Sequence, residues 1–220
     1  MSVRLQRIVK YYNGHAARYE QKFRWPLLRR IRAQEEREIR AFLLKYLDPF
    51  DSRKVLELGC GSGAYTIFLA QRGFDLTAVD VSSAMLQELR QKLAEKNFSN
   101  VQILNRDVEE IPADLGPFDA LFGIGLLEYA DDPPLMIDRV KDFIKPNGIA
   151  VFSVPGVSVS GILYWMSSWI RKRIGMRLLT KRAFRTVFES HGLRVLEIQA
   201  LGFHLPGMRA MTQIAAVLVP

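Results

Sequence analysis

Between residues 54 and 153, short unbroken apolar runs alternate with longer stretches whose apolar residues recur at three- and four-residue spacing. Short unbroken runs suit strands covered on both faces, and their alternation with amphipathic stretches predicts βαβ units on a parallel sheet. Strands are expected at Lys54–Leu58, Leu76–Val79, Val101–Asn105, Ala120–Gly123 and Gly148–Ser153, with helices at Ala64–Gln71, Ser83–Lys96 and Pro134–Ile144. Gly73 and Asn97 follow two of these helices, where a left-handed residue ends the last turn. Lys145-Pro146-Asn147-Gly148 reads as a turn on similar grounds.

The flanks have a different texture. A short helix is expected at Arg4–Tyr12 and a long one at Trp25–Leu47, with Pro26 in its first turn and Pro49 stopping it. From Arg32 to Glu38 the long helix is almost wholly polar, which predicts a face turned to water or to a partner. Residues 158–179 are apolar and basic, Lys181–His191 reads as a helix, and Leu193–Leu201 and Thr212–Val219 read as strands. The whole pattern predicts a single α/β domain over residues 1–220, with a doubly wound, mostly parallel sheet. Residues 1–50 would form helices covering the site, and residues 155–180 an inserted lid or interfacial segment.

Composition narrows the setting. The chain has 220 residues, 49% of them hydrophobic, enough for one substantial core. The single cysteine, Cys60, cannot form an internal disulfide, and the N-terminus lacks the order of a signal peptide, so a cytoplasmic location is expected, on or off a membrane surface. No run of 18 apolar residues occurs; the nearest approach, Pro155 to Ile170, is interrupted by serines and glycines. The net charge of +8 is unevenly spread. Lys and Arg exceed Asp and Glu by eight in residues 1–54 and by seven in 154–220, while acids lead by seven in between. Basic flanks suit a carboxylate or phosphate substrate, an anionic membrane or a nucleic acid, and equally plain solvated helix faces. No motif for reading bases is present, so nucleic acid ranks last. No His, Cys and carboxylate grouping has metal-ligand spacing, so no metal is expected.

The most informative stretch is Val55-Leu56-Glu57-Leu58-Gly59-Cys60-Gly61-Ser62-Gly63, a buried strand running into a glycine-rich bend and then a helix. Alternate glycines let the backbone turn tightly and let a ligand approach where a Cβ would collide. The dinucleotide fingerprint is spaced G-x-G-x-x-G and sets a pyrophosphate on a helix N-terminus. Here the third glycine comes one residue early, and Glu57 stands two residues before the first. An acid there repels a pyrophosphate but suits a ligand carrying an ammonium and a sulfonium. Asp80 ends the second strand, where a carboxylate can accept both hydroxyls of a ribose.

These residues resemble the class I S-adenosylmethionine-dependent methyltransferases, in particular the group that includes ubiquinone and menaquinone biosynthesis enzymes. The resemblance implies a seven-stranded sheet in the order 3-2-1-4-5-7-6, with S-adenosyl-L-methionine across the carboxyl ends of the first strands. It assigns Glu57, Gly59, Cys60, Gly61 and Gly63 to the bend around the cofactor, and Asp80 with Val81 to the ribose. Met85 would lie near the adenine, Asp107 would accept from its amino group and Val108 would donate its backbone N–H to the ring. Gly123 and Ile124 would pass under the methionine moiety, and Tyr19, in the segment Tyr11 to Glu20, would meet the methionine carboxylate.

The acceptor side is less defined. Methyl transfer from a sulfonium is an in-line displacement, and holding the partners at near-attack distance supplies ~7–11 kcal/mol of the barrier. A base is needed only for a protonated, weakly acidic acceptor. Glu128 and Tyr129 stand where many relatives carry Glu-His, and they are candidates together with His15. His191 reads as a charge closing its helix, and His204 as a loop residue. In residues 161–173, Ile162, Trp165, Met166, Trp169 and Ile170 follow helical spacing ahead of Arg171-Lys172-Arg173. That segment suits a lid over an apolar acceptor, an interfacial membrane helix, or a helix packed on the core or on a second subunit. The expected activity is methyl transfer to a small, apolar or lipid-like acceptor, anionic ones included. A nicotinamide-dependent oxidoreductase and a non-catalytic methyltransferase-like module are the alternatives.

Overall fold

A computed structural model describes residues 2–19, 26–47, 54–201 and 212–220. Trp25, Pro49 and His204 lie outside these residues. Seven strands, β1 (Lys54–Leu58), β2 (Asp75–Asp80), β3 (Val101–Asn105), β4 (Phe118–Gly123), β5 (Ile144–Pro155), β6 (Arg194–Leu201) and β7 (Thr212–Leu218), form one sheet in the order β3-β2-β1-β4-β5-β7-β6. The first five run parallel, and β7 is antiparallel to both β5 and β6. Helices α1 (Val3–His15), α2 (Pro26–Leu47), α3 (Ala64–Ala70), α4 (Ser83–Glu95), α5 (Pro133–Lys141), α6 (Val159–Lys172) and α7 (Lys181–Glu189) surround it.

Successive residues of a strand point to opposite faces, and β1 is packed accordingly. Leu56 and Leu58 join the cluster packed with Ile137 and Val140 of α5 and Phe184 and Phe188 of α7. Val55 points the other way, into the cluster of Ile39, Phe42, Leu43 and Leu47 from α2 and Leu69 from α3. Both faces are thereby covered, as near-continuous apolar strands require.

Most boundaries shift by one to four residues from the expected pattern, and two shifts have a clear cause. α5 ends at Lys141, three residues early, because Phe143 is buried and its carbonyl accepts from Phe118 N at 2.8 Å, drawing the chain into the sheet. The expected turn at Lys145–Gly148 falls inside β5, where it loops out: the register passes from Phe118↔Ile144 to Ala120↔Ile149, with Asn147 at φ 63°.

α1 and α6 arch over the carboxyl ends of the strands. Ser2 caps α1, Asn13 Oδ1 accepts from Ser82 Oγ and Ala84 N at the head of α4, and Arg4 donates to the carbonyls of Glu128, Ala130 and Gly175. Among the described residues no helix is long and apolar enough to cross a membrane.

Candidate active site

The bend after β1 demands glycine for two separate reasons. Gly59, Gly61 and Gly63 have φ of 70°, 52° and 87°, in the left-handed region that L side chains avoid. At Gly63, the N-cap of α3, an added Cβ would also run into Leu89 Cδ1. The bend is held down from β2: Gly59 N and Cys60 N both donate to Val79 O, at 2.8 and 3.1 Å. Asp80 completes the clamp, its Oδ2 accepting from Gly61 N and its Oδ1 from Ser82 N, each at 2.8 Å. Ser82 itself caps α4 through Met85 N, so Asp80 is not spent as a helix cap. Burial raises the Asp80 pKa against those backbone donors.

Glu57 is buried on the α3 side of β1 and accepts from Thr66 Oγ1 at 2.5 Å. Burial pushes its pKa up to about 8, the Asp80 charge adds to the rise, and among the described residues no cation pulls it back. A buried carboxylate in that state is a site built for a positive ligand group.

A cavity of about 760 Å³ opens over these residues. Gly59, Cys60, Gly61, Asp80, Val81 and Met85 line it, with Glu57 beneath the bend. Asp107 and Val108 line it from the end of β3, where Asp107 caps a 3-10 turn at Val108–Glu110 by accepting from Glu109 N. Ile124 and Tyr19 also reach the cavity. Gly63 and Gly123 do not: Gly63 packs behind the bend, and at Gly123 a Cβ would crowd Phe152 and Leu126, so both glycines serve packing.

The other half of the cavity lies under α1, α2 and α6. Tyr12, Arg32, Glu35, Glu128, Tyr129 and Tyr164 line it, with Leu163 and Ser167 from α6. Glu128, in the 3-10 turn Leu127–Tyr129, is buried, and among the described residues its Oε2 has no hydrogen-bond partner. Burial lifts its pKa to about 7 against a hydrogen bond from its own backbone N–H and the charge of Lys172, while Glu35 adds to the rise.

Of the catalytic candidates, Tyr129 lines the cavity with Glu128. Its Oη accepts from Lys172 Nζ at 2.7 Å and Tyr12 Oη at 3.3 Å, and donates to Met176 Sδ at 3.2 Å. Burial and the neighbouring Glu128 raise its pKa. His15 lies outside the cavity: it stacks on Tyr11 at 4.3 Å one helical turn away, its Nδ1 lies 2.8 Å from Tyr11 O, and it faces solvent. His191 Nδ1 lies 2.8 Å from Asp138 Oδ1, which ties the end of α7 to α5.

The polar stretch of α2, expected to face water or a partner, turns one side inward instead. Glu35 is buried, pairs with Arg32 at 2.9 Å and accepts from Thr212 Oγ1 of β7 at 2.5 Å, placing an ion pair in the cavity wall. Arg32, Glu35, Asn13 and Lys172 are site residues that apolar periodicity does not reveal. The signal for the first two was the polarity itself, inside a helix whose flanks are apolar.

A seven-stranded sheet in this order, bearing a glycine bend and three strand-end carboxylates, defines the Rossmann-like methyltransferase class. The family model for a methyltransferase domain matches residues 29–198, and the chain belongs to that family. It is 29% identical over 175 residues to the ubiquinone biosynthesis O-methyltransferase of Coxiella burnetii (strain Dugway 5J108-111), covering 73% of each chain. The protein of that name from Acinetobacter baumannii (strain AYE) is 29% identical over 102 residues, 46% of this chain and 43% of the other. Among solved structures, magnesium protoporphyrin IX methyltransferase from Synechocystis PCC 6803 with bound S-adenosylmethionine superposes with a TM-score of 0.76 at 15% identity, covering 100% of this chain and 99% of that one. The protein is an S-adenosylmethionine-dependent methyltransferase. The residues present fit that cofactor: a cation-seeking buried Glu57, a bend free of side chains, and Asp80 fixed at the adjoining strand end.

Proposed function

We propose that this enzyme methylates a hydroxyl oxygen on an apolar aromatic acceptor of the quinone-precursor kind, with Glu128 as the base. The observation that carries the proposal is Glu128 itself: a buried carboxylate with an oxygen that has no partner among the described residues, in the half of the cavity away from the glycine bend. A phenolic hydroxyl is weakly acidic and gains from a base of pKa near the working pH. A carboxylate acceptor needs no base, and an ionised Glu128 would repel it. The ubiquinone biosynthesis relatives favour the same acceptor chemistry.

The cofactor half divides among the lining residues. Glu57 would answer the ammonium, Tyr19 the methionine carboxylate, Asp80 with Val81 the ribose, and Asp107, Val108 and Met85 the adenine. The sulfonium of a bound cofactor would supply an activated methyl group, with a neutral thioether as the leaving group. Glu128 would take the proton that the acceptor hydroxyl gives up. Leu163 of α6 presents apolar surface to the acceptor, while Arg32 and Glu35 hold the opposite wall as a neutral pair.

The outer side of α6 extends the proposal to peripheral membrane contact. Ile162, Met166, Trp169 and Ile170 are exposed there at 44–64%. The basic Arg173 stands beyond them, its guanidinium 5.6 Å from the Trp169 ring. Apolar side chains with a cationic rim suit the headgroup region of an anionic bilayer, and an apolar acceptor would reach the cavity from that side.

The test supplies labelled S-adenosylmethionine with 4-dodecylcatechol, 4-dodecylbenzoic acid (the benzoate at neutral pH) and 4-dodecylaniline. Methylation of the catechol alone is expected, and Glu128→Gln should lower its rate by about 10²–10⁴-fold while S-adenosylhomocysteine affinity stays within about twofold. A variant at the wild-type rate would remove Glu128 as base; methylation of the benzoate alone would remove the hydroxyl acceptor.

A further inference from the structure

A second cavity, of about 430 Å³, lies where the start of α1 meets the end of α6. Val3, Arg4 and Arg7 of α1 line one side, and Arg173, Ile174 and Gly175, which follow α6, line the other. Arg4 holds this corner together: it donates to the carbonyls of Glu128, Ala130 and Gly175 and pairs with Asp131 at 3.2 Å. Arg7 and Arg173 are exposed, and among the described residues neither is in an ion pair. The walls therefore carry three guanidinium groups, with the Asp131 carboxylate paired to one of them.

Arg173 stands where glycine is the ordinary occupant. It ends α6 with φ 54°, in the left-handed region that L side chains avoid, and its N–H donates to Trp169 O at 2.9 Å. Glycine would form that cap with less strain, so what the side chain adds is a charge in the cavity wall. Its guanidinium lies 5.6 Å from the Trp169 ring. Trp169, one helical turn back, begins the exposed apolar stripe of α6 that runs through Met166 to Ile162. A basic cavity bordered by an indole and an apolar stripe matches the headgroup level of a bilayer, where indoles and aliphatic groups enter the interface and arginine forks pair with phosphate. A nucleic acid would meet the charge and leave the stripe uncovered.

We propose that this cavity receives the phosphodiester of an anionic lipid, with Arg7 and Arg173 taking its oxygens from opposite walls while Trp169 and the stripe enter the bilayer beside it. Arg4 ties the same corner to the turn that carries Glu128, so a lipid held here sets the acceptor half of the larger cavity against the membrane. This inference rests on reading α6 as a membrane contact, and its test separates the two.

The full chain is sedimented with vesicles of phosphatidylcholine alone or mixed equally with phosphatidylglycerol. Wild type should favour the mixed vesicles. Arg7→Gln with Arg173→Gly should lower partition onto them by roughly 25-fold, about fivefold for each arginine near an anionic surface. Arg7→Lys with Arg173→Lys keeps the charge but loses the paired donors, and should still weaken partition several-fold. Arg173→Gly alone should melt no lower than wild type, because glycine accepts the left-handed φ, which separates its weaker sedimentation from misfolding. Lys181→Gln with Arg182→Gln removes the same charge from the exposed start of α7 and should sediment as wild type does. The proposal is overturned if wild type takes both vesicles equally, if the lysine pair matches wild type, if the α7 pair loses as much as the arginine pair, or if duplex RNA binds these arginines and displaces the vesicles. Equal uptake of both vesicles would leave the α6 contact standing alone. If the arginine variants behave as expected while serine at Ile162, Trp169 and Ile170 changes nothing, the headgroup site stands and the apolar contact falls. Sedimentation with neither vesicle removes both.

Discussion

At the scale of single residues, Glu57 is the group whose chemistry is most sharply set by its surroundings. Its pKa of about 8 means that the cofactor-free protein holds a proton there at neutral pH. A cationic ligand selects the ionised form, so binding below about pH 8 must expel that proton. S-adenosylhomocysteine, which keeps the ammonium, should therefore bind more tightly as pH rises from about 6 to 8, by up to about tenfold per unit, and level off above. Titration calorimetry in buffers of different ionisation enthalpy should count close to one proton released at about pH 6.5, and Glu57→Gln should weaken binding and flatten the pH dependence. Weak or absent pH dependence in wild type would show that the ammonium meets another group. Gly63 makes a complementary point about strain, since its φ of 87° and the contact with Leu89 act together. Gly63→Ala should lose about 1–2 kcal/mol from the backbone alone, more with the clash, although Gly63 does not line the cavity.

At the scale of elements, the sheet was readable because apolar runs and glycine turns encode it locally: β1 and β3 fall at their expected bounds, and Asn97 does take a left-handed φ of 55°. The acceptor wall was hidden because it depends on long-range pairing. The polar stretch of α2 pointed outward by default, and the approach of Thr212, 177 residues away, gives Glu35 an interior partner beyond Arg32 on its own helix. Tyr129 and Lys172 are likewise joined across 43 residues, a link that no spacing rule carries. Helical spacing also placed Trp165 and Trp169 on one face, whereas Trp165 Nε1 donates to Met176 O at 3.0 Å and turns inward, leaving Trp169 exposed at 45%. The membrane proposal therefore belongs to the outer residues. Replacing Ile162, Trp169 and Ile170 with serine should abolish co-sedimentation with vesicles rich in phosphatidylglycerol and leave S-adenosylhomocysteine binding unchanged. Equal sedimentation of this triple variant and wild type would exclude α6 as the contact.

At the scale of the whole molecule, the site leaves its mark on stability. Glu57 and Glu128 have folded-state pKa values of about 8 and about 7, above the ordinary value of 4.5. The folded protein therefore binds more protons than the unfolded chain between about pH 4.5 and 8, and stability falls as pH rises through that window. Each unit of displacement is worth about 1.4 kcal/mol, so the two buried acids together govern several kcal/mol. On the acid side the sign reverses: Asp131, Asp138 and Glu197 are held below the usual range by Ser2 and Arg4, by His191, and by Lys45 with Tyr46, and what they contribute is lost as pH drops below about 4. Asp131 and Asp138 are exposed and Glu197 half-buried, and all three are weak beside the buried pair. Cofactor-free protein should thus be most stable near about pH 5 and melt at falling temperature up to about pH 8, as followed by calorimetry in closely spaced pH steps. Glu57→Gln and Glu128→Gln should each remove part of that decline, and the double variant nearly all of it, at the expense of cofactor binding and catalysis respectively. Saturating S-adenosylhomocysteine should offset the Glu57 share alone, because its ammonium compensates that charge and leaves Glu128 buried as before. A melting temperature that stayed level or rose from about pH 5 to 8 in the free protein would mean that the two carboxylates are solvated or already paired, and the cavity could then not act as a cation trap on one side and a proton acceptor on the other.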